Sequence, residues 1–372
     1  MNSPRVLMVS PVPSHPRDQG NAARIYTLGR WLQAQGAVVH FLYYALEGTT
    51  PQSLAAMQAT WDAVFVVRPR AFSLAPRETG YHGLDDWYDA AVTEEAARLQ
   101  ARYGYAAVIA NYVWGSGVLA AFGDETVKFL DTHDVFGGRD ARFIAAGMAP
   151  EWFWTTPVEE ARGLARADVV LAIQEAEAAQ FRALGHGDVR VLGHLPPWRR
   201  RLAREGRPVR IGYLASRNPI NADSFRVLRE ALPYEGIKGA RLMVAGALCD
   251  RLDAAAPFTV LGRVATPGAF YDQVDVVVNP MRFGTGLKIK SVEALFEDMP
   301  LVATREAMVG LPAGHDLHRL DDARAVARVL PEVARRAALR RELGVAGREV
   351  AAAYAAAVLA ARVGVWREIA GK

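Results

Sequence analysis

The chain of 372 residues is longer than one hydrophobic core normally serves, so two domains are expected. With 51% hydrophobic and 23% charged residues it can bury large cores, which excludes an intrinsically disordered protein. A net charge of only +4 argues against a dedicated nucleic-acid-binding protein, and the single cysteine, Cys249, excludes an intramolecular disulfide and a cysteine-based metal cluster.

Short apolar runs alternate with helical patterns through the first half of the chain, which is typical of a parallel sheet covered by helices. The first strand is predicted at 5–10. A helix is predicted at 21–35, where apolar residues recur at helical spacing until Gly36. Residues 1–195 are therefore interpreted as one doubly wound, Rossmann-like domain. Its further strands are predicted at 38–45, 63–67, 107–110, 127–130, 168–173 and 189–192.

Residues 196–208 contain prolines, a glycine and several arginines, and are predicted as an interdomain linker. A second Rossmann-like domain is predicted at 209–350. The Ala-, Arg- and Leu-rich stretch 321–370 predicts two or three helices, of which the last, at 351–372, is apolar enough to cross back onto the first domain. The strands of the second domain are predicted at 210–214, 241–245, 258–261, 274–278 and 301–303.

A glycine-containing segment, 280–288, lies between a predicted strand and a predicted helix. Gly284 and Gly286 allow successive backbone amides to point at one oxyanion, while the helix N-terminus, Lys288 and Lys290 add positive charge. This combination favours an anion-binding site. The alternative is an ordinary strand-to-helix turn with exposed lysines.

Glu293 follows about two turns into the same predicted helix. That distance suits a carboxylate that accepts hydrogen bonds from the two neighbouring hydroxyls of a ribose, while a diphosphate lies at the helix start. A solvated helix glutamate is the alternative. The loop and Glu293 together predict a nucleotide-binding site.

The segment 283–304, FGTGLKIKSVEALFEDMPLVAT, resembles the donor-site signature of retaining glycosyltransferases of the GT-B fold, of the family 4 (group 1) type. Gly20-Asn21, after the first strand, resembles the first-domain glycine loop of that family. Residues 159–177 resemble its passage from a glutamate helix through a strand to Ser/Thr-Glu. Gly246 and Gly262-Arg263-Val264 stand where its nucleotide-base loops fall.

The resemblance implies two Rossmann-like domains that face a central cleft, with the first on the acceptor side and the second on the donor side. It implies transfer of a sugar from a nucleoside diphosphate sugar, with UDP or GDP as the nucleotide, with retention and with neither a metal nor another cofactor. The donor-binding residues that it implies are Gly20, Arg217, Gly246, Gly262, Val264, Gly284, Thr285, Gly286, Leu287 and Lys288.

Two positions depart from the family pattern. Thr285 stands where the family often carries the first of two glutamates. Only Arg217 represents the Arg and Lys that often follow the first strand of the second domain. The resemblance implies His133, Lys288 and Glu293 as catalytic residues, and Asn21, Asp134 and Arg139 on the acceptor side.

His133 follows a predicted strand of the first domain, and ligands bind at the carboxyl ends of parallel strands. We expect it to hydrogen-bond a sugar hydroxyl, with Asp131 or Asp134 fixing its tautomer and Arg139 offsetting ligand charge. A structural histidine between two carboxylates is the alternative. A metal site at Asp131, His133 and Asp134 is disfavoured, because the lysines supply the charge that a metal would bring.

The acceptor is expected to be a glycan or a lipid-linked or protein-linked group, as in polysaccharide assembly. Aromatic residues at 81–88 and 152–154 either stack on sugars or pack in the core. The basic stretch 198–204 either contacts a membrane surface or is a solvated linker. No signal-peptide layout and no apolar stretch near 20 residues are found, so a cytoplasmic enzyme is expected.

Two rival functions stay open. A nucleotide-sugar 2-epimerase shares the fold and the donor cleft but needs no acceptor. A non-catalytic homologue would bind the nucleotide without turnover.

Overall fold

The computed structural model describes residues 3–17, 19–70, 74–76, 78, 80–201, 208–233, 235–252, 258–264 and 266–372. Two parallel sheets, one of seven strands and one of five, organise the chain. The predicted class, two doubly wound α/β domains, is therefore confirmed.

The first sheet has the strand order β3-β2-β1-β4-β5-β6-β7, so the chain reverses its direction of travel across the sheet between β1 and β4. Every predicted strand is present, with its ends shifted by at most two residues. The strands are β1 (Arg5–Ser10), β2 (Val38–Tyr44), β3 (Ala63–Val67), β4 (Ala107–Asn111), β5 (Val127–Asp131), β6 (Val169–Ala172) and β7 (Val189–Val191).

Helices cover this sheet, and polar N-caps start several of them. Thr50, Asp89 and Thr156 each accept a hydrogen bond from a backbone amide of the first turn that follows, and Gly104 ends one helix in the left-handed conformation. The helices are α1 (Gly20–Ala34), α2 (Pro51–Thr60), α3 (Ala90–Tyr103), α4 (Arg139–Ala145), α5 (Pro157–Leu164) and α6 (Glu175–Ala183).

The second sheet has the strand order β10-β9-β8-β11-β12, which places its reversal point between β8 and β11. All five predicted strands are present. They are β8 (Val209–Leu214), β9 (Ala240–Ala245), β10 (Thr259–Gly262), β11 (Val276–Asn279) and β12 (Leu301–Ala303). The helices of this domain are α7 (Pro219–Ala231), α8 (Pro267–Tyr271), α9 (Ile289–Phe296) and α10 (Ala323–Arg335).

The chain closes with one continuous helix, α11 (Ala337–Ala370), of 34 residues. The separate final helix expected at 351–372 is therefore part of a longer element that starts in the second domain. Leu343 belongs to a core of the second domain, whereas Val365 and Ile369 are fully buried in the core of the first. The helix is thus shared by both domains.

By length and composition, α11 is apolar enough to cross a membrane, contrary to the expectation that no such stretch exists. Alanine gives the helix this character. In the structure 44% of its most apolar window is buried against the protein. Packing on two domains is sufficient to explain its composition.

The linker packs against the second domain where it is described. The rings of Trp198 and Phe296 lie 5.3 Å apart, and the Arg201 guanidinium pairs with Glu297 (2.5 Å) and with Asp272. The predicted basic stretch continues into 202–204, outside the described residues. The Arg201 charge is thus paired within the protein, whereas 42% of the Trp198 surface stays exposed.

Candidate functional site

The carboxyl-end loops of the two sheets meet at the β11–α9 loop, residues 280–288. A Cβ built on Gly286 would lie 3.2 Å from the backbone oxygen of His133, and one built on Gly20 would lie 3.0 Å from Ile289. Gly20 opens α1 in the first domain and Ile289 opens α9 in the second. The predicted anion loop therefore lies at the interface of the two domains.

Buried hydrogen bonds fix both ends of this loop. The Asn279 side chain donates to the Ser291 hydroxyl (2.7 Å), and the Thr304 hydroxyl donates to the Met281 carbonyl (2.5 Å). Gly286 has a φ of 72°, a conformation that favours glycine. No side chain caps the N-terminus of α9, so its positive end is left for another anion.

In this conformation the Gly286 amide is already occupied by a carboxyl oxygen. It donates to Glu177 Oε1 (2.6 Å), and the Gln174 amide donates to the Gly286 carbonyl (3.1 Å). Burial raises the pKa of Glu177, and the nearby Asp134 raises it further. A diphosphate can use the Gly286 amide only after Glu177 has left it.

Lys288 departs most from its expected placement. Its buried ammonium donates to the carbonyls of Thr285 (3.1 Å) and Gly286 (3.0 Å) and pairs with Glu306 (3.2 Å). These three partners match the three protons of an ammonium group. Lys288 therefore holds the loop together in this conformation instead of presenting a free charge to a ligand. Leu287, expected in the donor site, is buried in an apolar cluster that joins the second domain to Phe143 and Ile173 of the first.

Glu293 and Lys290 lie three residues apart on α9. Burial raises the pKa of Glu293 to about 8, with Glu297 adding to the effect. Burial also lowers the pKa of Lys290 to about 7, together with the charge of Lys288. Glu293 is thus predominantly protonated at neutral pH and can both donate and accept hydrogen bonds.

His133 is held by Asn111, a residue that the sequence analysis did not identify. The Asn111 amide donates to the Val9 carbonyl (2.8 Å), which turns its oxygen toward His133 Nε2 (2.8 Å). Because that oxygen can only accept, His133 carries its proton on Nε2, and Nδ1 is the acceptor. Burial lowers the pKa of His133 to about 4, so the ring is neutral.

The predicted orienting carboxylates do not hold this ring. Asp131 lies 3.6 Å from His133 Nε2, but it receives three contacts from the Arg24 guanidinium, the shortest of 2.6 Å. Asp134 pairs with Arg139 (3.1 Å). These two carboxylates are therefore neutralised by arginines and are not arranged as metal ligands, and among the described residues no group of three His, Cys, Asp or Glu is placed to hold a metal ion.

The backbone around His133 is strained. His133 and Tyr112 have φ values of 61° and 69°, and their rings stack at 4.3 Å. The Tyr112 hydroxyl accepts a hydrogen bond from Asn21 (3.0 Å), which links the start of α1 to this pair. Such conformations cost about 1–3 kcal/mol each and concentrate at functional sites. The strain at His133 and Tyr112 therefore supports a functional site at the domain interface, as the geometry of the β11–α9 loop does.

The remaining predicted donor residues follow β8, β9 and β10 at the same edge of the second sheet. Gly246 has no room for a side chain, since a Cβ would lie 2.3 Å from the Ala215 carbonyl oxygen; its amide donates to the Gly262 carbonyl (2.9 Å). Val264 is half-buried and Arg217 is exposed. Within the described part of the chain, Arg217 has no hydrogen bond or ion pair, so its charge is available.

The aromatic residues considered for the acceptor belong mainly to the core. His82 and Phe153 stack at 5.1 Å, and Trp87 packs edge-on against both Phe153 and Trp114. Trp152 is the exception, with 58% of its surface exposed. Core packing is thus the use of most of these rings.

Comparison with known proteins agrees with this architecture. Residues 208–336 match the family described as glycosyl transferases group 1. Sucrose-phosphate synthase from Thermosynechococcus elongatus superposes with a TM-score of 0.67 at 18% identity, over 99% of this chain and 100% of that chain. No curated protein matches the sequence.

Two further solved structures are similar. A TarM variant from S. aureus, in complex with fondaparinux, alpha-GlcNAc-glycerol and UDP, gives a TM-score of 0.67 at 9% identity, over 96% and 99% of the two chains. Anabaena Alr3699/HepE, in complex with UDP and glucose, gives 0.65 at 12% identity, over 99% and 100%. The chain therefore has the GT-B fold, and most of its second domain matches the group 1 glycosyl transferase family.

Proposed function

We propose that the protein transfers a glycosyl group from a nucleoside diphosphate sugar to an acceptor. The observation that carries this proposal is the β11–α9 loop with its uncapped helix N-terminus, which lies at the domain interface, faces His133 and is followed about one turn into α9 by Glu293. The match of residues 208–336 to group 1 glycosyl transferases supports it, as does UDP in two of the similar structures.

The second domain, 209–350, is the donor side in this proposal. Glu293 binds the ribose hydroxyls, and its raised pKa makes it a donor as well as an acceptor there. Gly246 and Gly262 bring the backbone close to the base, which we expect to belong to UDP or GDP. The diphosphate lies at the start of α9, where the helix dipole favours negative charge.

Catalysis then consists mainly of stabilising the departing diphosphate. Backbone amides and cations at the start of α9 do this without a metal. We infer a hexosyl transfer with retention, in which the acceptor approaches from the face that the diphosphate leaves. The donor phosphate takes the acceptor proton, so that no covalent intermediate on the protein is needed.

The first domain, 1–195, is the acceptor side. His133 presents neutral Nδ1 as a hydrogen-bond acceptor for a sugar hydroxyl, and the Asp134–Arg139 pair lies beside it. The acceptor is a glycan or a lipid-linked or protein-linked group, and the cytoplasm is the expected compartment.

Nucleotide binding tests this proposal directly. Calorimetry with UDP and with GDP compares the wild type with Glu293→Met, which keeps the size of the side chain and removes both carboxyl oxygens, and with Glu230→Met on the surface of α7 as the matched control. We expect Glu293→Met to weaken binding by roughly tenfold or more, and Glu230→Met to leave it unchanged. Equal affinity in all three proteins would contradict the ribose assignment.

Turnover separates the rival functions. The protein is incubated with a nucleoside diphosphate sugar, first alone and then with glycan acceptors, and the products are separated. Transfer or slow donor hydrolysis supports the proposal. Formation of an epimer without acceptor identifies a 2-epimerase, and binding without any product identifies a non-catalytic homologue.

A further inference from the structure

The side chain of Lys290 crosses the reversal point of the second sheet. The residue belongs to α9, which follows β11, but its ammonium contacts the β8 side. Its Nζ donates to Asn221 Oδ1 (2.5 Å) in the first turn of α7 and lies 5.1 Å from the centre of the Tyr213 ring on β8. The charge is therefore placed between the starts of α7 and α9.

This placement concentrates positive charge. The N-termini of α7 and α9 both carry the positive end of a helix dipole, and the amine of Lys290 lies beside them. Among the residues that the structure describes, no carboxylate forms an ion pair with Lys290. Glu293, which acts on it at longer range, is itself held largely neutral by burial.

The other cations near the loop are placed differently. Lys288 is fully engaged by two loop carbonyls and Glu306, as described above. Arg217 is exposed at the outer end of β8. Within the described residues, Lys290 is the cation at the start of α9 that is partly shielded from solvent and forms no ion pair. Such a cation is suited to bind an anionic ligand.

We propose that Lys290, positioned by Asn221 and Tyr213, is the residue that binds the diphosphate of the donor and stabilises it as a leaving group. Lys288 instead has the structural role of holding the 284–288 loop. This inference rests on the proposed function, and it assigns the charge within that site to a different lysine from the one that the sequence favoured.

The test compares Lys290→Met with Lys288→Met, which remove the same charge two residues apart. Calorimetry measures the affinity of each protein for UDP and for uridine, with GDP and guanosine as a second pair. A charged hydrogen bond to the diphosphate corresponds to roughly ten- to a hundredfold in affinity. We expect Lys290→Met to lose that factor for UDP and to keep its uridine affinity.

Lys290→Arg keeps the charge and is expected to recover part of the UDP affinity. Lys288→Met is expected to lower the thermal unfolding midpoint and to weaken UDP and uridine together, since it loosens the loop. Thermal unfolding of every variant checks that it is folded. Equal losses of UDP and uridine affinity in Lys290→Met would mean a structural role and would overturn the inference.

The result also separates this inference from the proposed function. A wild type that binds no nucleoside diphosphate and turns over no donor refutes the function itself. A wild type that binds UDP or GDP, with a Lys290→Met variant that binds it equally well, leaves the function standing and refutes the assignment of Lys290.

Discussion

Replacing Gly286 by alanine tests the contact between the two domains. A non-glycine residue at its φ of 72° costs about 1–2 kcal/mol. In addition, the new Cβ would lie 3.2 Å from the His133 carbonyl oxygen and 3.7 Å from Asp134 Cγ, so the loop or the β5 end must shift by a few tenths of an ångström. Gly104 is the matched control, since its φ is 60° and its Cβ would meet no atom within 4 Å.

Both alanine variants should therefore lose about 1–2 kcal/mol of unfolding free energy in urea, followed by tryptophan fluorescence. Only Gly286→Ala should also lower kcat/KM for the donor, by roughly ten- to a hundredfold, because the displaced loop no longer positions the reacting groups. The reasoning is refuted if the two variants have equal kcat/KM, since the domains would then not meet at this loop in solution.

Three further predictions concern the first domain. Asp131→Asn leaves Arg24 buried without its counter-ion and should cost about 3–5 kcal/mol in urea unfolding, whereas a double variant that also replaces Arg24 by Met should recover part of it. Asn111→Leu should shift the ring nitrogen signals of His133 in ¹⁵N NMR and lower kcat; unchanged signals would show that Asn111 does not set the tautomer. Burial raises the pKa of Glu160 to about 7, so the folded state binds the proton more tightly than the unfolded state does. The free energy of unfolding should therefore fall as the pH rises from about 4.5 to 7. Glu160→Gln should flatten this dependence, and an unchanged slope of unfolding free energy against pH would contradict the assignment.

The strands could be predicted because each is a short apolar run between polar turns, a pattern that depends on neighbouring residues alone. The glycine loop and the start of α9 were predicted for the same reason. In contrast, α11 was divided wrongly at 351. Its alanine-rich sequence shows no break, and the change of packing partner along it is decided by the arrangement of the domains.

The candidate site was only partly predictable, since its contacts join residues that are far apart in the chain. Glu177 reaches Gly286 across 109 positions, and Asn111 reaches His133 across 22. The pattern around Lys288 and Lys290 indicates two cations at one turn. Whether the ammonium of Lys288 or of Lys290 is hydrogen-bonded by loop carbonyls depends on the backbone conformation of the loop. The residue types alone do not determine that conformation.

The helix α11 couples the synthesis of the chain to the completion of its first domain. At 1.5 Å per residue its 34 residues extend over about 50 Å, and its final turns contribute Val365 and Ile369 to the core built around β1. The first domain thus lacks part of its interior until Val365 and Ile369, which follow the whole second domain, have been made. Shortening the chain by ten residues should therefore expose apolar surface in the first domain, even though the missing piece follows the second.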